Sequence, residues 1–448
     1  MKPLQILLTA LCAIVMQPAG AWSNHTLVAY RALEKMPEVA QAAPVTVEPI
    51  EAFLKAQEPA LERLLAEQEA WARANVTAYA PRPDALAFRA NPARPDDARR
   101  LAFLMALRVS PNSKLALYVQ PDPRSPAGDG PALPFGAVSF LPEQPNTTYR
   151  FIGLQAGATV PVLQVVASAS DEPDYGLDIN LWEDSPSDWG KVYGFGKLPF
   201  GNPALYYATQ APFHMGFYHQ DWLIYQAAPF LKRTLPLLRT HQYTTLAALA
   251  FRTGHTYWGW RFTGLALHYV QDLTQPYHAN LAPGDSTFRM ISANVLAMAG
   301  LPRQRDDLIV LLSNRHLALE KYQNERLLAA ARAAQDTPLE TALRRAERDA
   351  SYPAWSDLYP RDVVASQSSA AGVRTAAAIV AAMPPGFVSD PSFDFGVKES
   401  GIDLTAAMAK QDPARRAELD ALVAELLENF GSHSRNTIRG VLKAGARP

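Results

Sequence analysis

The stretch His268-Tyr-Val-Gln-Asp272-Leu-Thr-Gln-Pro276-Tyr-His278 carries the strongest structural and chemical signal in the chain. On a helix, side chains four residues apart share a face, so His268 and Asp272 can hold one cation together. Proline lacks a backbone N–H and restricts the residue before it, so Pro276 predicts the end or a bend of that helix. The turn places His278 off the helix axis, within reach of a second metal. The segment therefore predicts a helix end that supplies ligands to two metal sites.

A second pair with the same spacing occurs at His316-Leu-Ala-Leu-Glu320. It falls in a predicted helix that covers about residues 304–333. An imidazole and a carboxylate on one face, joined by His278, would form a zinc site with two nitrogen ligands, one oxygen ligand and room for water. A salt bridge on the surface of a helix explains this pair equally well when it is considered alone.

The N-terminal residues have the features of a signal peptide. A basic residue, an apolar run from Leu7 to Met16 and the small residues Ala19-Gly20-Ala21 precede Trp22. Removal of residues 1–21 would make Trp22 the first residue, three positions before His25. The free amine and the carbonyl of Trp22 form a five-membered chelate, to which His25 can add a ring nitrogen. The mature protein is therefore expected to be secreted or periplasmic.

The apolar run is too short to span a bilayer, which takes about 20 residues, and no later segment qualifies. The sequence therefore predicts no transmembrane segment, and at most a peripheral contact with a membrane surface. The single cysteine, Cys12, lies in the leader. A mature chain without a thiol excludes disulfides, cysteine nucleophiles and zinc–thiolate sites, which leaves His, Asp and Glu as metal ligands.

Length and composition are typical of a large globular domain. The chain has 448 residues, of which 48% are hydrophobic, so it can bury a sizeable core. Its formal net charge of −1 provides no basic field of the kind that attracts polyanions. Nucleic acid is therefore a less favoured partner.

Helical periodicity predicts a mainly α-helical protein. One helix is expected to begin after Ser23 and to place His25 in its first turn, and another is expected from Pro49 to about Asn75. Further helices are expected at about 221–238, 242–253, 256–274, 304–333, 337–350, 363–382 and 413–430. Pro413 is expected in the first turn of the last of these helices, where its missing N–H has no cost.

Residues 80–210 have a different character. Loops rich in proline and glycine alternate there with short β-like runs, such as residues 116–119 and 160–166. We interpret the mature chain, residues 22–448, as one mainly helical catalytic domain. A mixed α/β or irregular insertion is expected at about residues 80–210, and a C-terminal helical extension at about residues 363–448.

Three other histidines are not expected to bind metal. His241 and His433 have no carboxylate at metal-ligand spacing and are interpreted as surface groups. His255 lies 13 residues before His268, too far along the helix to reach the same ion, so a capping or packing role is expected. The aromatic residues at positions 257, 258 and 260 are expected in the core.

The combination of these motifs resembles the zinc-dependent phospholipase C family, which is related to the fungal single-strand-specific nucleases. The shared features are a tryptophan at a processed N-terminus, an early histidine, the His-x3-Asp-x5-His segment and the later His-x3-Glu. They span residues 22–322, and the C-terminal third lies outside the resemblance. The resemblance implies a multi-helix bundle that holds three zinc ions. It assigns the first ion to Trp22 and His25, the second to His268 and Asp272, which bridges the two, and the third to His278, His316 and Glu320.

The second ion needs a further aspartate and histidine. Asp174 has a Pro-Asp-Tyr setting similar to that of the corresponding aspartate in the bacterial phospholipases, and Asp178 is the alternative. His214 and His219 are both flanked by aromatic residues, and the sequence does not separate them, although we favour His214. The gap of 40 residues between Asp174 and His214 is a departure from the bacterial pattern, in which it is much shorter.

The resemblance also implies an activity. It predicts a phosphodiester hydrolase in which a zinc-bound hydroxide attacks phosphorus in line, with Asp174 as a ligand that also orients the water or acts as the base. Glu320 followed by Lys-Tyr, and Pro276 followed by Tyr-His, favour the phospholipase branch, whereas Gln275 favours the nucleases. We therefore expect phospholipase C activity on phospholipid or another phosphodiester. A single-strand-specific nuclease and a catalytically idle binding module of the same fold are the alternatives.

Overall fold

The computed structural model describes residues 24–125, 130–142, 149–201, 203 and 206–446. The chain is mainly helical, with 63% helix and 3% strand, as the sequence predicts. No helix in these ranges is both long and apolar enough to cross a membrane. The predicted signal peptide, residues 1–21, and the predicted ligand Trp22 lie outside the described residues.

The first ten α-helices of the described chain are α1 (His25–Leu33), α2 (Pro37–Ala40), α3 (Ile50–Ala56), α4 (Glu58–Asn75), α5 (Asp96–Leu107), α6 (Phe135–Val138), α7 (Val162–Ala169), α8 (Asp188–Tyr193), α9 (Ala211–His214) and α10 (Trp222–Ala227). They are followed by α11 (Pro236–Arg252), α12 (Thr256–Asp272), α13 (Pro276–Ala279), α14 (Thr287–Met298), α15 (Arg303–Arg332), α16 (Pro338–Arg344), α17 (Ser366–Ala382), α18 (Pro385–Val388), α19 (Phe395–Lys398), α20 (Leu404–Ala409) and α21 (Pro413–Gly445). Shorter 3₁₀ turns cover Asp84–Leu86, Glu172–Tyr175, Tyr206–Gln210, Pro229–Lys232, Asp349–Ser351 and Glu399–Gly401, and a π-helical turn covers Pro360–Ala365.

Helix α12 lies at the centre of the fold. It is buried from Tyr257 to Asp272 and packs against α7, α11 and α21. Gly264 permits a close approach of α7, because a Cβ at this position would lie 2.5 Å from the Cβ of Ala169. Since α7 ends at Ala169, this contact holds the backbone that follows α7 against the C-terminal half of α12.

The strands are β1 (Val45–Thr46), β2 (Tyr118–Val119), β3 (Ala132–Leu133), β4 (Phe151–Gly153) and β5 (Thr159–Val160). β1 pairs antiparallel with β5, and β4 lies between β2 and β3 in a second antiparallel sheet. The β-like interpretation of residues 160–166 is wrong beyond Val160, because Val162–Ala169 forms helix α7. A short run that is apolar on all sides does not distinguish a buried strand from a buried helix.

Several predicted helix boundaries are also wrong. The helix expected at 221–238 is split into α10, a 3₁₀ turn and the start of α11, and α11 then runs through the break expected near residue 240. Pro236 opens α11 in its first turn, where a proline is well tolerated. The helix expected at 50–75 is interrupted at Gln57, and the one expected to end near residue 350 ends at Arg344. Pro413 lies in the first turn of α21, as predicted.

Helix α21 runs to Gly445, well past the end expected near residue 430, and packs against α1, α11, α12 and α16. Arg435, in its C-terminal half, is buried. Its guanidinium donates to the backbone carbonyls of Ala32 in α1 and Leu343 in α16, and forms an ion pair with Asp349. This side chain therefore fixes the C-terminal helix against the helix that carries His25.

We expect Arg435→Met to lower the free energy of unfolding by about 3–5 kcal/mol, because it leaves the carbonyls of Ala32 and Leu343 without their donor and the Asp349 carboxylate with Arg439 as its remaining cation. Arg415→Met, on the solvent-exposed part of the same helix, is the matched control and should cause only a small fraction of that change. Urea unfolding followed by circular dichroism measures both. Equal effects of the two substitutions would show that Arg435 does not anchor α21.

Candidate metal centre

Three histidines around the C-terminal end of α12 each form a hydrogen bond through Nδ1 to a group outside the cluster. The outward bonds run from His25 Nδ1 to Gln271 Oε1 (2.8 Å), from His268 Nδ1 to the Ser170 carbonyl (2.7 Å) and from His278 Nδ1 to the His214 carbonyl (3.0 Å). An acceptor at Nδ1 favours the tautomer whose lone pair is on Nε2, and metal-binding histidines are commonly oriented in this way. In all three residues Nε2 faces a buried cluster of histidines and carboxylates.

Asp272, the last residue of α12, lies between His25 on one side and His214 and His268 on the other. Its Oδ1 is 3.2 Å from His25 Nε2. Its Oδ2 is 2.9 Å from His214 Nδ1 and 3.4 Å from His268 Nε2. Two ligand atoms of one tetrahedral zinc ion lie about 3.4 Å apart, which these separations approach. Because its two oxygens face different histidines, this single carboxylate is placed to bridge two ions.

Asp174 completes the group around His214 and His268. Its Oδ1 lies 3.9 Å from His214 Nδ1 and 3.7 Å from His268 Nε2. The side chain is 14% exposed, whereas those of His214 and His268 are at most 1% exposed. Asp174 is therefore the carboxylate through which this group meets solvent.

Asp178, the alternative to Asp174, lies behind His214. One of its oxygens is 3.6 Å from His214 Nε2, the ring nitrogen that faces away from Asp272. Asp178 also forms a buried ion pair with Arg239 at 2.7 Å and accepts a hydrogen bond from the Tyr269 hydroxyl at 2.6 Å. Arg239 and Tyr269 therefore hold Asp178 behind His214, while Asp174 faces the cluster.

The third group consists of His278, His316 and Glu320. His316 Nε2 is 3.1 Å from His278 Nε2 and 2.6 Å from Glu320 Oε1, and all three side chains are buried. Gln275 donates a hydrogen bond to Glu320 Oε1 at 3.3 Å. The His-x3-Glu pair thus faces the interior and not solvent, which rules out its interpretation as a surface salt bridge.

The structure does not bring His219 to the cluster. Its side chain is exposed, and its Nε2 donates to the backbone carbonyl of Arg361 at 2.7 Å. His214 lies at the C-terminal end of α9, and Gly216 just after it donates to the His278 carbonyl at 2.7 Å. Together with the bond from His278 to the His214 carbonyl, this contact fixes His214 beside the cluster and lets the chain leave it before His219.

Several inward-facing atoms of the cluster have no hydrogen-bond partner. They are Asp174 Oδ1, and also His25 Nε2 and Asp272 Oδ1, which face each other at 3.2 Å as an ion pair without a well-directed hydrogen bond. Burying polar atoms without a partner is costly, and a bound cation would satisfy all three. The donor set consists of imidazole nitrogens and carboxylate oxygens, which suits zinc and other divalent transition metals.

The pKa values of the cluster reflect burial and close charges. Burial raises the pKa of Asp174 and of Glu320 to about 7 and lowers that of His316 to about 3. Burial also lowers the pKa of His25, but the adjacent Asp272 carboxylate outweighs it and raises the pKa to about 9. For Asp272 burial acts to raise the pKa, yet the surrounding imidazoles hold it well below its usual range. Without a metal, the cluster therefore carries protons at neutral pH.

Two buried arginines hold the loop that carries Asp174. Arg261 of α12 forms a bidentate ion pair with Glu172, and Arg239 of α11 pairs with Asp178. Asp171, at the start of the loop, accepts the His25 backbone N–H at 3.0 Å. Sequence reasoning missed these supporting residues, because no spacing rule relates acids near residue 175 to arginines that lie 60 to 90 positions later.

The interpretation of His241 and His433 as surface groups is wrong. His241 is 7% exposed, and its ring stacks on Trp71 with a centroid separation of 3.7 Å. His433 is 1% exposed and accepts a hydrogen bond from the Tyr359 hydroxyl at 2.8 Å. Both lie in helix–helix contacts that a single helix does not reveal.

The role expected for His255 is partly correct. It occupies the N-cap position of α12, but its side chain makes no capping bond and instead contacts Glu48 at 2.8 Å. The aromatic residues Tyr257, Trp258 and Trp260 are buried in the core, as predicted.

Three groups of side chains among the described residues could hold a metal ion: His25, His268 and Asp272; Asp174, His214 and His268; and His278, His316 and Glu320. Comparison of the chain with models of protein families, with curated proteins and with solved structures gave no match. The geometry of these groups is therefore the main guide to function.

The two candidate histidines can be separated by metal content. We expect His214→Ala to lose at least one bound ion after dialysis, because it removes a nitrogen that contacts both Asp272 and Asp174. His219→Ala is the matched control and should retain the full content, since it removes only a bond to a backbone carbonyl. Plasma mass spectrometry of the purified proteins measures this. Equal metal content in the two variants would remove His214 from the site.

Metal affinity should rise with pH between about pH 6 and pH 9. In the metal-free protein the raised pKa values of Asp174, Glu320 and His25 mean that these groups hold protons below about 7, 7 and 9. A metal must displace those protons, so binding weakens as the pH falls and releases protons near neutrality. Isothermal titration calorimetry with Zn²⁺ in two buffers of different ionisation enthalpy counts the released protons. Affinity that is independent of pH across this range would contradict the assignment of these groups as ligands.

Proposed function

We propose that this chain is an exported, zinc-dependent phosphodiester hydrolase of the phospholipase C type. The observation that carries the proposal is the convergence of eight predicted ligands, drawn from α1, α9, α12, α13, α15 and the loop after α7, around the end of α12. They are His25, Asp174, His214, His268, Asp272, His278, His316 and Glu320. Helical spacing and the family resemblance predict these same residues as ligands.

Zinc is the ion we propose for the three groups. Neutral imidazoles and single carboxylate oxygens are its usual non-thiolate ligands. Three divalent ions against the carboxylates of Asp174, Asp272 and Glu320 would leave roughly three units of net positive charge in this cluster. An anionic phosphate ester is the natural substrate for a site with that charge. Zinc bound there would lower the pKa of a coordinated water toward neutrality and offset charge that develops on the phosphoryl group.

The residues of the chain have distinct roles in this proposal. Asp272 would hold two ions, one on each oxygen, because its two oxygens face different histidines. Asp174 is partly exposed and lies beside His214 and His268, so it can orient a water molecule and accept a proton from it. Glu320 would hold the third ion, and the hydrogen bond from Gln275 keeps its carboxylate in position.

Phospholipid is the substrate we favour over nucleic acid. The chain has no excess of positive charge, and polynucleotide binding depends strongly on such an excess. Gln275, the residue that suggested a nuclease, is fully buried and bonds to Glu320 and to the backbone N–H of Tyr277. It supports a ligand and does not face a substrate, so it gives no support to the nuclease alternative.

The idle binding module is disfavoured because each of the three groups retains side chains suited to bind a metal. A protein that had lost catalysis would be under no constraint to keep an unpaired buried atom such as Asp174 Oδ1 among these histidines. Export and the use of the Trp22 amine as a further ligand are part of the same proposal, and both rest on the N-terminal sequence.

The proposal is tested by Asp272→Asn, which keeps the shape of the side chain but removes the charge shared between two ions. We expect hydrolysis of phosphatidylcholine to fall by more than about 100-fold, beyond the 10- to 100-fold typical of residues that only support a ligand. Asp188→Asn, at a fully exposed aspartate, is the matched control and should retain the wild-type rate.

The same proteins are assayed with single-stranded DNA. If wild-type protein cleaves DNA and leaves phosphatidylcholine intact, the nuclease alternative replaces the phospholipase. If Asp272→Asn hydrolyses phosphodiesters as fast as Asp188→Asn, the residue does not hold catalytic metals and the enzyme proposal fails.

A further inference from the structure

Helix α14 is apolar, yet it lies on the surface of the protein. Its sequence, TFRMISANVLAM, contains one charged residue, Arg289, and Ala293 is its only buried residue. A surface helix ordinarily turns an apolar stripe to the core and a polar face to water. Instead, α14 exposes Phe288 by 82% and Val295 by 54%, and these residues, seven apart, share one side of the helix.

Neighbouring segments extend this surface. Helix α10 packs against α14 and exposes Trp222 by 68% and Leu223 by 41%, and the turn before α15 exposes Leu301 by 62%. We call Trp222, Leu223, Phe288, Val295 and Leu301 the exposed apolar face. Grouped apolar exposure of this kind marks a site that contacts a membrane or another molecule.

The packing beneath α14 is incomplete. A cavity of about 100 Å³ lies between α10, α14 and α15. Its lining is apolar and includes Ile224, Leu281, Met290, Met298, Leu308 and Leu312. Met290 and Leu281 pack on a small apolar cluster around Met215 and Phe217 that is separate from the main core. The helix is therefore half-buried on a thin apolar layer, and the side that carries Phe288 and Val295 is exposed.

The charges around the exposed apolar face are balanced. Arg289 pairs with Asp285, Arg305 with Asp306 at 2.7 Å, and Arg303 with Asp307 at 3.8 Å. Attraction to anionic lipids or nucleic acid requires an excess of basic residues. Because each arginine of this rim is paired with an aspartate, the rim has no excess of basic charge, which suits a zwitterionic headgroup layer that presents both phosphate and ammonium groups.

We propose that the exposed apolar face seats the protein on the surface of a zwitterionic phospholipid bilayer. Tryptophan and phenylalanine are favoured at the depth of the lipid headgroups, and an apolar helix of this length lies in the interface and does not cross the bilayer. The additional claim that the bilayer delivers substrate to the metal centre rests on the proposed function. The seating itself does not.

The exposed apolar face and the metal centre share chain segments. Leu281 and Ala282 line the cavity beneath α14 and follow the candidate ligand His278 by three and four residues. Met215, in the cluster on which α14 packs, directly follows the candidate ligand His214. The segments that support this face are therefore continuous in the chain with candidate ligands of two of the three metal groups.

The test compares the mature chain with the double variant Trp222→Ser/Phe288→Ser in co-sedimentation with phosphatidylcholine vesicles. We expect the variant's partition coefficient to fall at least about tenfold, because two large apolar side chains no longer enter the interface. Leu101→Ser/Val192→Ser, which changes two exposed apolar residues on α5 and α8, is the matched control and should bind as the wild type does. Binding of the wild type should persist in high salt, since it does not depend on screened charges.

A soluble short-chain phosphatidylcholine, used as a monomer, separates seating from catalysis. We expect the double variant to hydrolyse it at the wild-type rate while losing activity on vesicles. If no protein hydrolyses it, the proposed function fails, but vesicle binding still decides the seating. Wild-type protein that ignores phosphatidylcholine vesicles, or a double variant that binds them as tightly, overturns the seating. The seating is also overturned if sedimentation velocity shows that the wild type is a dimer and that the double variant, unlike the control variant, is a monomer.

Discussion

The rest of this structure depends on one constraint, a buried carboxylate at the C-terminal end of a helix. Asp272 is fully buried and is the last residue of α12, where the helix dipole places partial negative charge and disfavours an anion. Such a group is tolerable only with positive charge or strong donors around it. Three histidines, from α1, α9 and α12 itself, approach its two oxygens. The convergence of these helices can be understood as the solution to that electrostatic problem.

Backbone carbonyl groups orient two of the imidazoles. His268 bonds to the carbonyl of Ser170, just after α7, and His278 bonds to the carbonyl of His214. The first contact depends on the close approach of α7 to α12 at Gly264, where any larger residue would collide with Ala169. Orientation by backbone carbonyls means that the geometry of the metal centre is tied to helix packing. A change in the spacing of α7 and α12 would therefore rotate a ligand without replacing it.

The exposed apolar face and the metal centre require different kinds of partner. The centre buries polar groups and requires partners for them, whereas α14 leaves apolar groups in water and requires a partner that is itself apolar. The two features lie on adjoining segments, since Leu281 beneath α14 follows shortly after His278. On the proposed function, one feature would hold the phosphate of a lipid and the other the membrane from which it comes.

The sequence by itself determined what local geometry controls. Residues four apart on a helix share a face, so spacing alone predicted that His268 lies beside Asp272 and His316 beside Glu320. Helical periodicity likewise predicted that the chain is mainly helical.

Only the tertiary structure decided between His214 and His219, because both lie in the same aromatic-rich segment. The hydrogen bond from His278 to the His214 carbonyl holds His214 at the cluster, whereas His219 bonds to the Arg361 carbonyl outside it. The tertiary structure likewise decided that Asp174 faces the cluster while Asp178 is held by a distant arginine. The physical reason is that spacing fixes direction within one helix, whereas position relative to other helices depends on packing and on buried charge pairs between residues far apart in the chain.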